Sequence, residues 1–182
     1  ALYAPVDLVY SPGNHDKHLG WALVDTVASW FHNHEGVSIG HNGRNISNRP
    51  RKYMQYGNNL LGFTHADRAK GLKLGPLMAH ECPKGWSESR YRTWLLGHLH
   101  HHISEAHSPF GTVKGEKDEI GYSIMRPSIP MDPTMMVALE TIRSPSAADE
   151  YHAYEGYLSD AAIECYAFHP EKGKIANFVD YV

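Results

Sequence analysis

Cysteine is scarce in this chain: Cys82 and Cys165 are the two present in 182 residues. That pair excludes a disulfide-stapled mini-domain and any all-cysteine zinc site. No apolar run approaches the ~18–20 residues that a bilayer span requires, so no membrane partner is expected. Positive charge is not in excess either. The 17 Lys and Arg stand against 20 Asp and Glu, a formal charge of −3 with His neutral, which excludes a broad cationic field for holding nucleic acid or membrane. Internal repeats and low-complexity tracts are absent, which sets aside solenoids and flexible tails. The opening Ala1-Leu2-Tyr3-Ala4-Pro5 shows neither an initiator methionine nor a charged-then-apolar leader. A cytoplasmic location is the expectation from that, and processing or a lost beginning would each give such a start.

What is present is an ordinary apolar fraction of 42% and charged fraction of 20%, values of a soluble domain able to bury a core. Residues 1–182 read as a single domain. Residues 6–10 read as a buried strand ending at the turn Ser11-Pro12-Gly13. Over residues 19–31, Leu19, Leu23, Val27 and Trp30 recur at helical spacing and predict a helix with one buried face. The Gly- and Asn-rich residues 40–50 read as loop. Residues 51–56 and 60–64 flank Gly57-Asn58-Asn59 and predict a β-hairpin.

Helices are expected over 77–82, with Pro76 in the first turn and Pro83 ending it, and over 87–92. Residues 93–96 form a strand stopped by Gly97. Residues 101–119 carry no clear period. Strands are expected over 120–125 and 136–142, a helix over 148–154, and a closing hairpin of 161–168 and 174–181 around Glu171-Lys172-Gly173. This order of strands and helices points to a layered α/β or α+β domain with a central set of paired strands.

Histidine is abundant, 14 residues, and three histidine-bearing segments each follow an expected strand. They are Gly13-Asn14-His15-Asp16, Gly62-Phe63-Thr64-His65-Ala66-Asp67 and Gly97-His98-Leu99-His100. Strand ends are where loops converge on rigid supports, and glycine lets the backbone approach a ligand closely. Imidazole and amide oxygen suit Mn, Fe, Zn or Ni rather than a soft thiolate site. A single histidine beside a strand is more often a satisfied polar residue than a ligand. Three such segments together point to a metal site.

These residues resemble the calcineurin-like metallophosphoesterases. Of that family's five ordered motifs, the last three match: Gly-Asn-His-Asp at 13–16, the lone histidine at 65, and Gly-His-x-His at 97–100. The stretch from Arg51-Lys52-Tyr53 through Tyr56-Gly57-Asn58-Asn59-Leu60-Leu61-Gly62-Phe63-Thr64-His65 is similar to a phage and bacterial branch of the family, as is Asp149-Glu150-Tyr151-His152 to Gly156-Tyr157. The resemblance implies a layered β-sandwich flanked by helices and a metal-dependent phosphoesterase, nuclease-like on DNA. It also implies two divalent ions, manganese first, with iron, zinc or nickel as alternatives. Asn14, His65 and His98 would ligate one ion and His100 the other, the pair clamping phosphoryl oxygens at about 3.5–4 Å separation. His15 would act as the acid, with Asp16 holding its ring, a contribution of ~10²–10⁴ in rate.

Two departures from the family pattern stand out. Ala66 occupies the position where the family has glycine. The motifs Asp-x-His and Gly-Asp-x-x-Asp have no counterpart in this chain, and Asp7, inside the first strand, is a poor substitute. The expectation is an incomplete catalytic domain whose N-terminal part is missing and which alone is inactive, since four neutral ligands leave two dications uncompensated. Competing expectations are a non-catalytic scaffold of the same fold and a metal-storage domain using His98, His100, His101 and His102. The basic and aromatic residues Arg44, Arg49, Arg51, Lys52, Tyr53 and Tyr56 could contact a nucleic-acid backbone. A solvated loop leading to an edge strand explains them better. Trp86 and Trp94 read as core, and Asp149 and His152 as either substrate-facing or solvated.

Overall fold

The computed structural model describes residues 4–14, 17–39, 49–98, 103–108, 111–112, 116–117, 123–124, 137–142 and 162–181. The architecture mixes helices and sheets, an α+β arrangement. No described helix is long and apolar enough to cross a membrane.

The short strand β1 (Val6–Leu8) pairs in parallel with β2 (Val37–Ile39), and α1 (Lys17–Phe31) lies between them in sequence. The strand expected over 6–10 is therefore shorter, and it is not buried: Val6 and Leu8 are 40% and 41% exposed. A two-stranded sheet buries only what a neighbouring layer covers. The helix forms where the apolar spacing put it, but its stripe faces outward, with Leu23 57% and Trp30 81% exposed. Periodicity reports amphipathicity and does not say what packs on the apolar face.

The main sheet has six strands in the order β3-β4-β5-β10-β6-β7. These are β3 (Arg51–Tyr56), β4 (Asn59–Thr64), β5 (Tyr91–Leu96), β10 (Val137–Thr141), β6 (Ile103–Ser108) and β7 (Gly111–Thr112). Its centre, β4-β5-β10, is parallel, and the flanking pairs are antiparallel. Two minor strands, β8 (Glu116–Lys117) and β9 (Ser123–Ile124), pair with each other. The latter falls within the strand expected over 120–125. The helix expected over 148–154 lies outside the described residues, as does Arg44.

The β3–β4 turn is two residues long, because Asn59 enters the ladder opposite Tyr56. Gly57 takes φ +54 at the first loop position, where glycine suits a tight hairpin. A side chain there would also collide with the Pro170 carbonyl, 2.4 Å from the added Cβ.

Register sets which residues share a face. Gly62, Trp94 and Leu139 meet α2 (Leu74–Glu81), whose Leu74 and Met78 are fully buried against Leu60, Trp94 and Val137. Trp94 donates from Nε1 to the Leu74 carbonyl at 3.1 Å and stands edge-on to Tyr53, centroids 5.4 Å apart. On the opposite face, the turn end of the hairpin of β11 (Ala162–His169) and β12 (Gly173–Tyr181) meets the sheet. There Asn59 Nδ2 donates to the His169 carbonyl at 3.0 Å, and Lys174 pairs with buried Glu140.

Helix α2 begins three residues before the expected start, which keeps Pro76 in its first turn, where a missing N–H costs nothing. Pro83 opens α3 (Pro83–Glu88) rather than merely closing α2. The helix expected over 87–92 gives way to β5, which starts at Tyr91. Arg92 fixes that boundary by donating from Nη2 to the Trp86 and Ser89 carbonyls at 2.6 and 2.8 Å, its guanidinium 4.1 Å over the Trp86 ring.

Gly62 is the tightest core position. A methyl there would lie 2.5 Å from Trp94 Cε3 and 2.8 Å from Met78 Cε. Gly62→Ala is expected to lower the unfolding free energy by about 1–3 kcal/mol in denaturant titration. Gly75→Ala, whose added carbon meets only Val137 at 3.5 Å, is expected to be neutral or stabilising.

Candidate metal centre

The parallel pairing of β4 and β5 aligns Thr64 with Leu96, so both strands release their chains at one edge of the sheet. His65 follows Thr64 directly, and His98 follows Leu96 by two residues. Gly97 donates its N–H to the Thr64 carbonyl at 3.2 Å and packs so close that an added Cβ would lie 3.1 Å from His65 Nδ1. The chain then turns sharply at both histidines, with Ala66 at φ +67 and His98 at φ +72. Ala66 thus adopts a left-handed backbone while carrying a side chain. Left-handed non-glycine residues cost about 1–2 kcal/mol each and gather at functional sites.

Asn14, from the loop between β1 and α1, completes the group. Its Oδ1 lies 2.6 Å from His65 Nε2, and the same Nε2 lies 3.3 Å from His98 Nδ1. The two rings stand edge to face, centroids 5.0 Å apart and planes at 71°. Asn14 is exposed and both histidines are half-buried, so solvent reaches the cluster.

Two electron-rich atoms therefore meet at one imidazole nitrogen. A proton on His65 Nε2 serves Asn14 Oδ1, leaving His98 Nδ1 at best a shared claim on it. A cation would satisfy all three lone pairs at once. Two ligand atoms at right angles, each about 2.1 Å from an ion, are separated by about 3.0 Å, and the observed 2.6 and 3.3 Å fall on either side of it. Two imidazoles and an amide oxygen are a donor set for Mn, Fe, Zn or Ni. Among the described residues no group of three or more His, Cys, Asp or Glu side chains that could hold a metal ion gathers.

Of the residues singled out in the sequence, Asn14, His65 and His98 come together. His15, Asp16, His100, His101 and His102 lie outside the described residues, as do Asp149 and His152. Asp7 is held in β1 and accepts a bond from Ser38 Oγ at 2.8 Å.

The edge strand β3 carries a second polar group that sequence reasoning only half identified. Arg51 grips Glu81 at the end of α2 through Nε (2.9 Å to both oxygens) and Nη2 (2.5 Å), and Tyr53 donates to Glu81 at 2.7 Å. The bond from Arg51 holds the Glu81 carboxyl below its usual range, and the same bond raises Arg51. Burial, then the bond to Glu81, pushes the Tyr53 phenol well above its ordinary range. With His80 and Arg49 these side chains line a recess of about 410 Å³. Glu81 and His80 carry no motif, and a helix end is an ordinary place for charge, so neither was visible beforehand. Lys52 donates to the Arg49 carbonyl at 2.6 Å. Burial, with the Arg49 charge adding to it, brings its amine from 10.5 down to about 8.

Two predictions arise here. Between pH 8 and 10.5 the unfolded chain holds a proton on Lys52 that the folded chain has released, so stability rises with pH in that window. Above about pH 10 the unfolded Tyr53 ionises while the folded one resists, and stability falls. Denaturation curves should show the first rise disappear in Lys52→Met, by about 1 kcal/mol given the solvent around a half-exposed amine. His98→Gly removes the left-handed penalty and should raise metal-free stability by about 0.5–1 kcal/mol while abolishing the melting shift caused by Mn²⁺. Lowered metal-free stability would mean that packing of the His98 ring outweighs its backbone strain.

No protein-family model, no curated protein and no solved structure matches this chain.

Proposed function

We propose that this chain carries part of the active site of a divalent-metal phosphodiesterase of the calcineurin-like type, acting on DNA. The observation that supports this reading is the meeting of Asn14 Oδ1, His65 Nε2 and His98 Nδ1 at the carboxyl ends of two parallel strands. Ligand sites assemble at such strand ends.

Asn14, His65 and His98 would hold one ion, Mn²⁺ before Fe, Zn or Ni, and His100 would serve a second. When bound, a divalent cation polarises a phosphoryl oxygen and acidifies a water. The protein's own part would be to aim the two imidazoles from rigid strand ends, where the Gly97–Thr64 bond and the two left-handed turns hold the backbone. His15 would protonate the departing oxygen, with Asp16 orienting its ring. Because all three converging ligands are neutral, they bind a dication weakly without carboxylates beside them.

The test is release of p-nitrophenol from bis(p-nitrophenyl) phosphate by the full-length protein with and without Mn²⁺. Metal-dependent release that drops at least ~10²-fold in His65→Ala and in His98→Ala is expected. Release that ignores the metal or either histidine would contradict the proposal.

A further inference from the structure

We propose that the recess between the start of β3 and the end of α2 is an anion subsite, holding a neighbouring phosphate of a single-stranded nucleic acid. This rests on the phosphodiesterase reading, because it assigns a second contact to the substrate of the His65–His98 cluster. The recess, about 410 Å³, is lined by Arg49, Pro50, Arg51, Tyr53, His80 and Glu81. Its one carboxylate is already engaged, accepting from Arg51 Nε and Nη2 and from the Tyr53 hydroxyl. Glu81 therefore orients the Arg51 fork and has little capacity left to repel an anion. Nε and Nη2 form one edge of the planar guanidinium, so Nη1 lies on the other edge, with no acceptor among the described residues. Arg49 and His80 are exposed beside it. The rim thus offers two guanidinium groups and an imidazole against one carboxylate, which leaves one guanidinium charge in excess for phosphate oxygens.

Placement on the sheet identifies the ligand. Arg51 is paired with Thr64, and Thr64 with Leu96, so the recess opens at the edge of the sheet that carries His65 and His98. The Arg51 backbone is one strand spacing from Thr64 and two from Leu96, about 5 and 10 Å. A free phosphate would not span both places; a chain of phosphodiesters would. The overall charge of −3 limits attraction to such local contacts rather than a general field. Tyr53 and Pro50 give the recess an apolar wall against which a sugar or base can lie.

Fluorescence anisotropy with a labelled single-stranded oligothymidylate, in EDTA, reads the subsite without the metal. The intact chain is expected to bind. Arg49→Ala should weaken binding about 5–10-fold, Arg49→Glu more, and Arg49→Lys should restore most of it, while loss of the contact lowers the log–log salt slope by about 0.7. Mn²⁺ uptake measured by calorimetry should be unchanged in these variants and lost in His65→Ala. Arg49→Glu binding like the parent, or no binding by the parent, would overturn the subsite. Displacement by inorganic phosphate at equal phosphate concentration would overturn its assignment to a nucleic-acid chain. Persistent Mn²⁺ uptake in His65→Ala would instead sink the phosphodiesterase reading, which separates the two failures.

Discussion

The parallel, in-register pairing of β4 with β5 is the constraint from which the candidate site follows. Thr64 opposite Leu96 sets two loops side by side, and the Gly97 N–H bonded to the Thr64 carbonyl ties them together. With no side chain on Gly97, the His65 ring can lie against its backbone. The adjoining left-handed turns at Ala66 and His98 redirect the chain immediately after the sheet ends. Such backbone persists only where the surroundings over-determine it. Here those surroundings are the buried core of Leu60, Trp94, Met78 and Leu139 directly beneath. Core packing and site geometry are in this sense one arrangement: the same strands whose middles bury Trp94 end in the two imidazoles.

Charge is distributed unevenly around that edge. The three atoms that converge are neutral, and one strand away Arg51, Glu81 and Tyr53 form a closed set of bonds. That set locks the edge strand to α2 and orients a guanidinium at the mouth of the recess. The outer layers are less complete. The Leu19, Leu23, Val27 and Trp30 stripe of α1 is exposed, as are Ile163, Ile175, Phe178 and Tyr181 of the β11–β12 hairpin.

Much of the centre was legible in the sequence. Gly57-Asn58 between alternating runs announces the β3–β4 hairpin, and Trp94 in an apolar run announces core. The convergence of His65 and His98 could be anticipated because each follows a strand and β4 and β5 end together; Asn14 reaches them from the loop after the separate strand β1. Other features were hidden for physical reasons. The apolar spacing of α1 predicts a helix but not a partner for its face. The α3–β5 boundary is displaced because Arg92, charged and apparently a helix-surface residue, is buried under Trp86 and tied to two carbonyls. Glu81 and His80 gain meaning only when α2 is laid along β3, a relation between residues some thirty positions apart that no local pattern encodes.

The central claim is that Asn14, His65 and His98 act on one cation as a unit. Long-range proton–nitrogen correlation spectra of the histidine rings, recorded as Zn²⁺ is added, address it most directly. Joint coordination predicts that His65 Nε2 and His98 Nδ1 shift along one binding curve, that Asn14→Ala weakens both, and that His32, His34, His80 and His169 stay in place. Unmoved signals from His65 and His98, or shifts spread evenly over all these histidines, would contradict it.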